Sequence, residues 1–280
     1  MKPFLEKIAE RLLSKFPQNM DEVAVVLPSK RSVVFFKHYL SKKIIKPVFL
    51  PKFFSIEEFI EDISALKVVD NVSLQFHLYK SYLETSIKNK DTFNDFLTWS
   101  SILLHDFNDI DTNMVNAKSL YSNLKNVKEL ENWNLEKWSF SENKLTDIQQ
   151  NYLEFFESML SIYEGFSNSL INQNSAYQGL ANRKAAEKIS SIKMPWKKVW
   201  FVGLNALTSS QHIIIDDLKR RDIARVFWDA DQYYFKNKDH EAGLFLKQQQ
   251  SKWAEIDFKG IGDYFSKPKD KFQVIACPQN

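Results

Sequence analysis

The chain has 280 residues, of which 44% are apolar and 26% are charged, and its net charge is +3. This composition is typical of a globular protein of one large or two modest domains, and no apolar run is long enough to span a membrane. The single cysteine, Cys277, excludes an internal disulfide framework and predicts a cytoplasmic location. The five histidines are scattered without ligand spacing, so no structural zinc site is expected.

Charge is distributed unevenly along the chain. Residues 1–50 hold 10 Lys and Arg against 4 Asp and Glu, residues 51–160 hold 10 against 18, and residues 161–280 hold 18 against 13. Two basic ends therefore flank an acidic middle, which indicates different surfaces for different tasks.

The first 66 residues alternate between patterns typical of helix and of strand. Apolar spacing predicts a helix over residues 3–16, which Pro17 ends. The run "EVAVVLP" predicts a buried strand, "SKRSVVFFKHYLSKK" a helix and "KPVFLPKFF" a second strand. A capping box from Ser55 to Glu58 then starts another helix.

The segment from about residue 66 to residue 195 shows no convincing strand. Phe, Leu, Tyr and Trp recur at three- and four-residue steps, and no proline occurs between residues 51 and 195. This spacing predicts an all-helical block of about five or six helices. Three tryptophans of the block are expected in helix cores rather than stacked on bases, namely Trp99, Trp133 and Trp138.

Alternation of strand and helix returns after Pro195. Strands are predicted at "KKVWFVGL", "ARVFWDAD" and "KFQVIACP", and helices at "SQHIIIDDLKRR" and "HEAGLFLKQQQSKW". A capping box from Thr208 to Gln211 opens the first of these helices. The chain stops three residues after Cys277 with no cap for the last strand, so a longer protein is expected.

Alternating strands and helices predict a parallel sheet with helices on its faces. The helical block interrupts this sheet in sequence. The expected fold class is therefore α/β, with one parallel sheet domain built from two separated segments and an all-helical insertion. The expected boundaries are 1–66 and 196–270 for the sheet domain, 67–195 for the insertion, and 271–280 for the start of a further domain.

The sequence lacks the glycine-rich loop that binds nucleotide phosphates. Such a loop needs glycines for close backbone approach and a lysine for the phosphates. None of the six glycines is followed by lysine, and none precedes the first predicted strand. The chain is therefore not expected to bind ATP in the usual way, and no cofactor is predicted.

The stretch "WDADQYY" ends a predicted strand with two acids, Asp229 and Asp231. Two carboxylates at this spacing could hold a metal ion. Alternatively they cap the next turn and face water, and two carboxylates alone favour this alternative. The position is still notable, because open α/β sheets bind ligands at the carboxyl ends of their strands.

Several segments resemble motifs of superfamily-one helicases of the UvrD type. In those helicases a strand ends in Asp-Glu, and the next strand ends in Gly-Asp-x-x-Gln-Ser-Ile-Tyr. Here "FVGLNALTSSQ" and "VFWDADQYY" stand in that order, and Asp229 and Gln232 match the second motif. Gly203 and Leu204 fall in the place of the catalytic acids, so these two and Asp229 are degenerate ATPase positions. Upstream, "VAVVLPSKRSVVFF" resembles the motif that contacts single-stranded DNA.

Taken together, these segments resemble the N-terminal region of AddB-like proteins more than they resemble the helicases. AddB-like proteins are inactivated superfamily-one helicases that usually carry a PD-(D/E)XK nuclease. "LPKFFSIEEFI" and "VFWDADQYYFKNKDHEAG" also resemble that family. The resemblance implies a RecA-like sheet domain, a role in bacterial recombinational repair, a nuclease domain beyond Asn280 and an active helicase subunit as partner. No catalytic residue is expected within this chain, and "DFK" at Asp257–Lys259 is interpreted as a solvated turn.

The run from Lys30 to Lys46 contains six cations and no acid. Phosphate contact and a solvated helix face both fit such a run. The resemblance to a DNA-contacting turn favours contact at its start, whereas Lys42, Lys43 and Lys46 are expected to be plain surface. The predicted nucleic-acid contacts, including two from the second motif, are Ser29, Lys30, Arg31, Gln232 and Tyr233.

Two functions are consistent with these observations. The first is a non-catalytic, helicase-like module of a DNA end-processing helicase-nuclease, which holds or scans DNA through weak contacts to single strands. The second is a scaffold domain that docks a partner subunit or nuclease without contacting DNA. An ATPase or nuclease active within this chain is not expected.

Overall fold

The computed structural model describes residues 2–124, 147–237 and 240–253, together with Phe265. These residues form a mixed α/β protein with a four-stranded parallel sheet, which confirms the predicted fold class. The chain divides into two compact units. The sheet unit comprises Met1–Ile56, Met194–Leu207 and Leu218–Asn280, and the helical unit comprises Glu57–Lys193 and Thr208–Asp217.

The regular elements follow one another closely along the described chain. The helices are α1 (Phe4–Lys15), α2 (Lys30–Ser41), α3 (Ile56–Ser64), α4 (Asn71–Leu83), α5 (Phe93–Thr112), α6 (Ala117–Leu124), α7 (Asp147–Ile171), α8 (Gln178–Lys188), α9 (Ser209–Arg220), α10 (Gln232–Lys236) and α11 (Leu244–Lys252). The strands are β1 (Val23–Leu27), β2 (Lys52–Ser55), β3 (Lys67–Val68), β4 (Ser175–Ala176), β5 (Lys198–Val202) and β6 (Ala224–Phe227).

The sheet unit is built on strands in the order β2–β1–β5–β6, all parallel. Val26 pairs with Phe54 on one side and with Phe201 on the other, and Phe201 pairs with Val226. The four strands therefore reach one carboxyl edge at the same level. Every residue of β1 is buried, which explains its unbroken apolar sequence, because both faces of a central parallel strand are covered.

Helices α1 and α2 cover one face of this sheet. Leu12 of α1 and Phe36 and Leu40 of α2 are buried in a cluster with Trp200 of β5. Burying one such side chain stabilises the fold by about 1.5–3 kcal/mol. The three- and four-residue apolar spacing of "KPFLEKIAERLLSKF" and "SKRSVVFFKHYLSKK" thus gives the helices that were predicted.

The order of strands reverses between β1 and β5. From β1 the chain passes through α2 to β2 on one side of β1, whereas β5 pairs with β1 on the other side. In open α/β sheets, the crevice at the carboxyl ends of two such strands is the usual place for a ligand.

The helical unit packs α5 against α8 and α7 against both α4 and α6. In α5 the buried side chains recur at helical spacing, namely Phe96, Ser100, Leu103, Phe107 and Ile110. The ring of Phe107 contacts Tyr163 and Phe166 of α7, at centroid distances of 5.2 and 6.2 Å. Aromatic residues at three- and four-residue steps therefore form the core of this unit, as the sequence predicts. Trp99 of α5 is half-buried.

The helical unit also contains a pair of two-residue parallel strands, so the expectation of an all-helical block is wrong at this point. Lys67 pairs with Ser175 and Val68 with Ala176. Two residues are too few to show the alternating pattern that identifies a strand. The two segments are also far apart in sequence, so only the tertiary fold brings them together.

The second predicted strand is shorter than predicted. The sequence predicts it over residues 46–54, whereas β2 is Lys52–Ser55. Pro47 and Pro51 lack the N–H group that a ladder needs, which accounts for the start of β2 directly after Pro51.

Some predictions lie outside the described residues: the strand at residues 271–278, the turn at Asp257–Lys259, and the placement of Trp133 and Trp138. Where the structure describes the chain, no helix combines the length and the apolar character that crossing a membrane requires.

Candidate nucleic-acid interface

The residues predicted as nucleic-acid contacts and those predicted as degenerate ATPase positions all belong to the sheet unit. They follow the carboxyl ends of β1, β5 and β6. Neighbouring strands lie about 4.8 Å apart, so β1 and β6 are separated by about 10 Å. The structure therefore places the two predicted groups, Ser29 to Arg31 and Gln232 to Tyr233, at one edge of the sheet.

A capping box fixes the turn between β1 and α2. The Ser29 hydroxyl accepts a hydrogen bond from the Ser32 backbone N–H at 3.3 Å, and the Ser29 N–H donates to the Ser32 hydroxyl at 3.0 Å. Because the cap already uses the Ser29 hydroxyl, the main effect of Ser29 is to orient the two residues that follow it.

Lys30 and Arg31 form the exposed first turn of α2, and this turn contains no acid. The positive end of the helix dipole adds to their charge. The Arg31 guanidinium lies 5.8 Å from the centroid of the Phe35 ring, and the Phe35 side chain is 45% exposed. Cations beside an exposed aromatic ring can bind phosphate and base at once. Phe35 was not predicted, although its i+4 spacing from Arg31 could have indicated it.

Just beyond the C-terminal end of α2, a lysine is paired with acids. The Lys43 ammonium lies 2.9 Å from the Glu6 carboxylate and 2.8 Å from that of Glu10, both on α1. Hydrogen bonds from Lys2 and Lys43 lower the pKa of Glu10 to about 2. The hydrogen bonds that Lys43 donates to Glu10 and Glu6 raise the pKa of Lys43. Lys43 is therefore held by α1 rather than presented to a ligand. Lys42 and Lys46 are exposed.

At the end of β5, Gly203 and Leu204, which are predicted degenerate ATPase positions, contribute to the fold. Gly203 has φ = 72°, and its N–H donates to the Phe227 carbonyl at 2.8 Å. A Cβ at Gly203 would lie 3.4 Å from the Phe4 ring of α1. Leu204 is buried. The strand therefore ends in a left-handed turn and an apolar anchor, and neither Gly203 nor Leu204 has a side chain that could hold magnesium or a water molecule.

The end of β6 carries the two acids of "WDADQYY". Asp231 is buried and accepts a hydrogen bond from the Tyr233 N–H at 2.9 Å, which caps α10. The side chain of Asp229 is exposed in part, yet desolvation raises its pKa, against the opposing effect of Lys7. The capping interpretation is thus confirmed for Asp231, although it is buried rather than facing water. Within the described residues, no group of acids, histidines or cysteines is arranged to hold a metal ion.

The two residues of the second predicted contact group differ in what they can present to a ligand. The Gln232 side-chain oxygen accepts a hydrogen bond from the Lys236 ammonium at 2.8 Å, within α10. The Tyr233 ring is 40% exposed and packs edge-on against Tyr234, at a centroid distance of 5.2 Å. Tyr233 can therefore offer a ring face at this edge, whereas the Gln232 oxygen is already engaged.

This edge brings together two exposed cations and two exposed rings, and the Asp231 carboxylate caps α10. No known family model and no curated protein matches the chain. Its assignment therefore depends on the residues themselves.

Proposed function

We propose that the chain is a non-catalytic, helicase-like module of a cytoplasmic DNA end-processing machine, where it holds or scans single-stranded DNA. One observation carries the proposal. The carboxyl edge keeps the exposed cations Lys30 and Arg31 on a capped turn beside the strand reversal, while β5 ends in Gly203 and Leu204 instead of acids. Such an edge can bind a phosphate chain, whereas the end of β5 lacks the carboxylates that nucleotide hydrolysis needs.

The machine would supply catalysis through other parts. The resemblance to AddB-like proteins supports a nuclease domain in the same polypeptide and an active helicase subunit as partners in recombinational repair. On this proposal the present region contributes contacts to DNA, and the acidic segment of residues 51–160 keeps the phosphate chain away from the helical unit.

Binding of a labelled single-stranded oligonucleotide tests the proposal. We expect weak, sequence-independent binding that falls steeply with salt, because each phosphate contact releases counterions. The double substitution Lys30→Ala with Arg31→Ala should weaken it roughly tenfold. It should also lower the log–log salt slope by about 1.4, because each of the two cations neutralises one phosphate and so accounts for about 0.7. Fluorescence anisotropy at several salt concentrations measures both quantities.

The matched control is Lys42→Ala with Lys46→Ala, which removes the same charge from exposed positions near the other end of α2. Lys43 is unsuitable as a control because its ion pairs hold α1. If the Lys30 and Arg31 variant binds like the parent, or if the control weakens binding equally, the contact assignment is wrong. If the parent does not bind at low salt, the proposed function fails for this region.

The missing phosphate loop and the ends of β5 and β6 predict that the chain does not bind ATP. Gly203 and Leu204 offer no ligand for magnesium, and the Asp231 carboxylate caps α10. Calorimetric titration with Mg-ATP should give no heat beyond dilution. A dissociation constant in the micromolar range, accompanied by phosphate release, would contradict this expectation.

A scaffold role without DNA contact remains the second candidate, and the acidic segment of residues 51–160 favours it. An acidic surface repels a phosphate chain and attracts basic protein segments. A chain that fails to bind DNA but captures a nuclease or helicase subunit would support this role.

A further inference from the structure

A cavity of about 330 Å³ lies within the helical unit. Its walls come from β3 and the residues after it, from α4 and α5, and from the start of α8. This volume is at the lower end of the range for pockets that bind small ligands.

The cavity has an apolar floor and a neutral polar rim. Leu74 and Tyr177 are buried and Leu104 is half-buried. None of the described lining residues is Lys, Arg, Asp or Glu, and His105 at the rim lies 3.7 Å from Asp109. A phosphate or carboxylate group would find little compensation here, so the lining suits an uncharged group.

Two amides of the rim are oriented by the protein. The Gln75 side-chain oxygen accepts from the Ser100 hydroxyl at 2.5 Å, and the Asn108 side-chain oxygen accepts from the Gly179 N–H at 2.8 Å. Each amide therefore uses its oxygen internally and has N–H groups to present to a ligand. Carbonyl oxygens, such as those of a peptide backbone, are the matching acceptors.

The outer edge of strand β3, opposite β4, includes the backbone of the lining residue Val68. The Lys67 N–H donates to the Asn174 carbonyl at 2.9 Å, and the Val69 N–H donates to the Ala176 carbonyl at 3.1 Å. In a parallel ladder the intervening residue points its N–H and C=O away from the partner strand. The backbone of Val68, which lines the cavity, is therefore directed away from β4.

The surroundings of the cavity are acidic. Asp70 directly follows the lining residue Val69, and Asp106 and Asp109 lie beside lining residues of α5; all three are exposed. Hydrogen bonds from Ser73 lower the pKa of Asp70, so this carboxylate is charged at neutral pH. Lys67, which precedes the lining residue Val68, is a cation close to Asp70 in sequence.

We propose that this site binds an extended peptide of a partner protein, which adds to the outer edge of β3, places one apolar side chain in the cavity and carries basic residues on its flanks. Main-chain hydrogen bonds to Val68 would supply affinity, and the cavity would select the side chain, as in other strand-addition sites. The acids select basic flanks by charge complementarity. This site shares no residue with the proposed DNA interface and does not depend on that function.

An array of acetylated hexapeptides tests the proposal on the full chain. The peptides have Val, Ile, Leu or Phe at the centre and lysine, glutamine or glutamate on the flanks. We expect the lysine series to bind at least about fivefold more tightly than the glutamate series. Methylating the backbone nitrogens of the best peptide should weaken binding about tenfold, because it removes the ladder hydrogen bonds.

Substitutions on α5 locate the site. Ser101 is exposed and lines the cavity, so Ser101→Trp should fill its mouth and abolish binding without disturbing the core. The matched control is Thr98→Trp, at an exposed position one turn earlier that is outside the described lining. Anisotropy of the labelled best peptide measures both variants.

Four outcomes would overturn the proposal. They are no binding by any lysine-flanked peptide, equal binding by the N-methylated peptide, unchanged binding by Ser101→Trp, and capture of a single-stranded oligonucleotide that Ser101→Trp abolishes. The last would assign the cavity to nucleic acid. Loss of DNA binding by the Lys30 and Arg31 variant would leave these results unaffected, so failure of one proposal is distinguishable from failure of the other.

Discussion

Asp111→Ala is expected to lower the free energy of unfolding of the helical unit by about 3–5 kcal/mol, the usual cost of breaking a buried ion pair from one side. Asp111 is fully buried at the end of α5. The Arg183 guanidinium of α8 donates to its carboxylate at 2.5 Å, and the hydroxyls of Tyr163 and Tyr177 donate to the same group. Removing the carboxylate takes away the acceptor that these three donors share.

This network joins three helices at one point. Tyr163 belongs to α7, Tyr177 precedes α8, and Arg183 also donates to the backbone carbonyls of Ile110 and Val115 at 3.0 and 2.6 Å. Burial, together with the adjacent Asp111, raises the pKa values of both tyrosines. Both hydroxyls therefore stay protonated and remain donors at neutral pH.

Urea unfolding followed by circular dichroism measures the effect. The matched control is Asp109→Ala, two residues away on α5, whose side chain is 56% exposed and lies 3.7 Å from His105. A surface pair of this kind contributes about 0–1 kcal/mol. Similar losses of stability from the two substitutions would show that the buried network is not what holds the helices.

A double-mutant cycle separates the pair from its surroundings. If Asp111 and Arg183 act together, Arg183→Ala should be much less destabilising when Asp111 is already alanine. Additive losses of stability would mean that Arg183 acts mainly through the carbonyls of Ile110 and Val115.

The sheet unit could be predicted from sequence because its signals are local. The run at Val23–Leu27 is apolar throughout, as a strand covered on both faces must be. The same holds for the capping box at Thr208 in the helical unit, where the Thr208 N–H donates to the Gln211 side chain at 3.2 Å and the Gln211 N–H donates to the Thr208 hydroxyl at 3.3 Å. Such signals involve residues that are three or four positions apart, so they can be recognised within a short stretch of sequence.

The features that could not be predicted from the sequence join segments that are far apart along the chain. Strands β3 and β4 pair across most of the helical unit. Asp111 looks like any other acid of an acidic stretch until the fold brings Tyr163 and Arg183 to it. A single sequence contains no signal for which distant residues meet.

The candidate interface was predictable in position but not in detail. Parallel strands end at one edge, so Ser29 and Tyr233 had to share it. The sequence did not indicate that the Gln232 oxygen would be held by Lys236, or that Phe35 would lie beside Arg31. These outcomes depend on rotamers and packing rather than on spacing.

The two units carry different surfaces. The sheet unit has cations and rings at its carboxyl edge, whereas the helical unit has a neutral cavity beside carboxylates. If both proposals hold, one chain binds DNA at one surface and a partner peptide at another, which is the division of tasks that the uneven charge indicates.

The integrity of the cavity depends on the close approach of α8 to α5. Gly179 of α8 donates its N–H to Asn108, a lining residue. A Cβ at this position would lie 2.3 Å from the Asn108 carbonyl oxygen and 2.9 Å from its Cα. Both are backbone atoms of a helix, so one helix must shift if a side chain is added.

Gly179→Ala is therefore expected to destabilise the helical unit by about 2 kcal/mol or more, in the upper part of the range for overpacking. Alanine favours the helix over glycine by about 1 kcal/mol, and the clash with the α5 backbone must outweigh that gain. Because the shift moves Asn108, the variant should also lose peptide binding at the cavity. Urea unfolding and the peptide anisotropy assay measure the two effects.

Gly165→Ala is the matched control and should have the opposite effect on the free energy of unfolding. Gly165 lies within α7, and among the described residues a Cβ there would meet only the Ser81 side chain, at 3.8 Å and 3.9 Å, which is ordinary contact. The helix preference then acts alone, so this variant should be more stable by up to about 1 kcal/mol. If both glycine variants gain stability, α5 and α8 do not approach as closely as described. If both lose it, helix preference is not the deciding effect at Gly165.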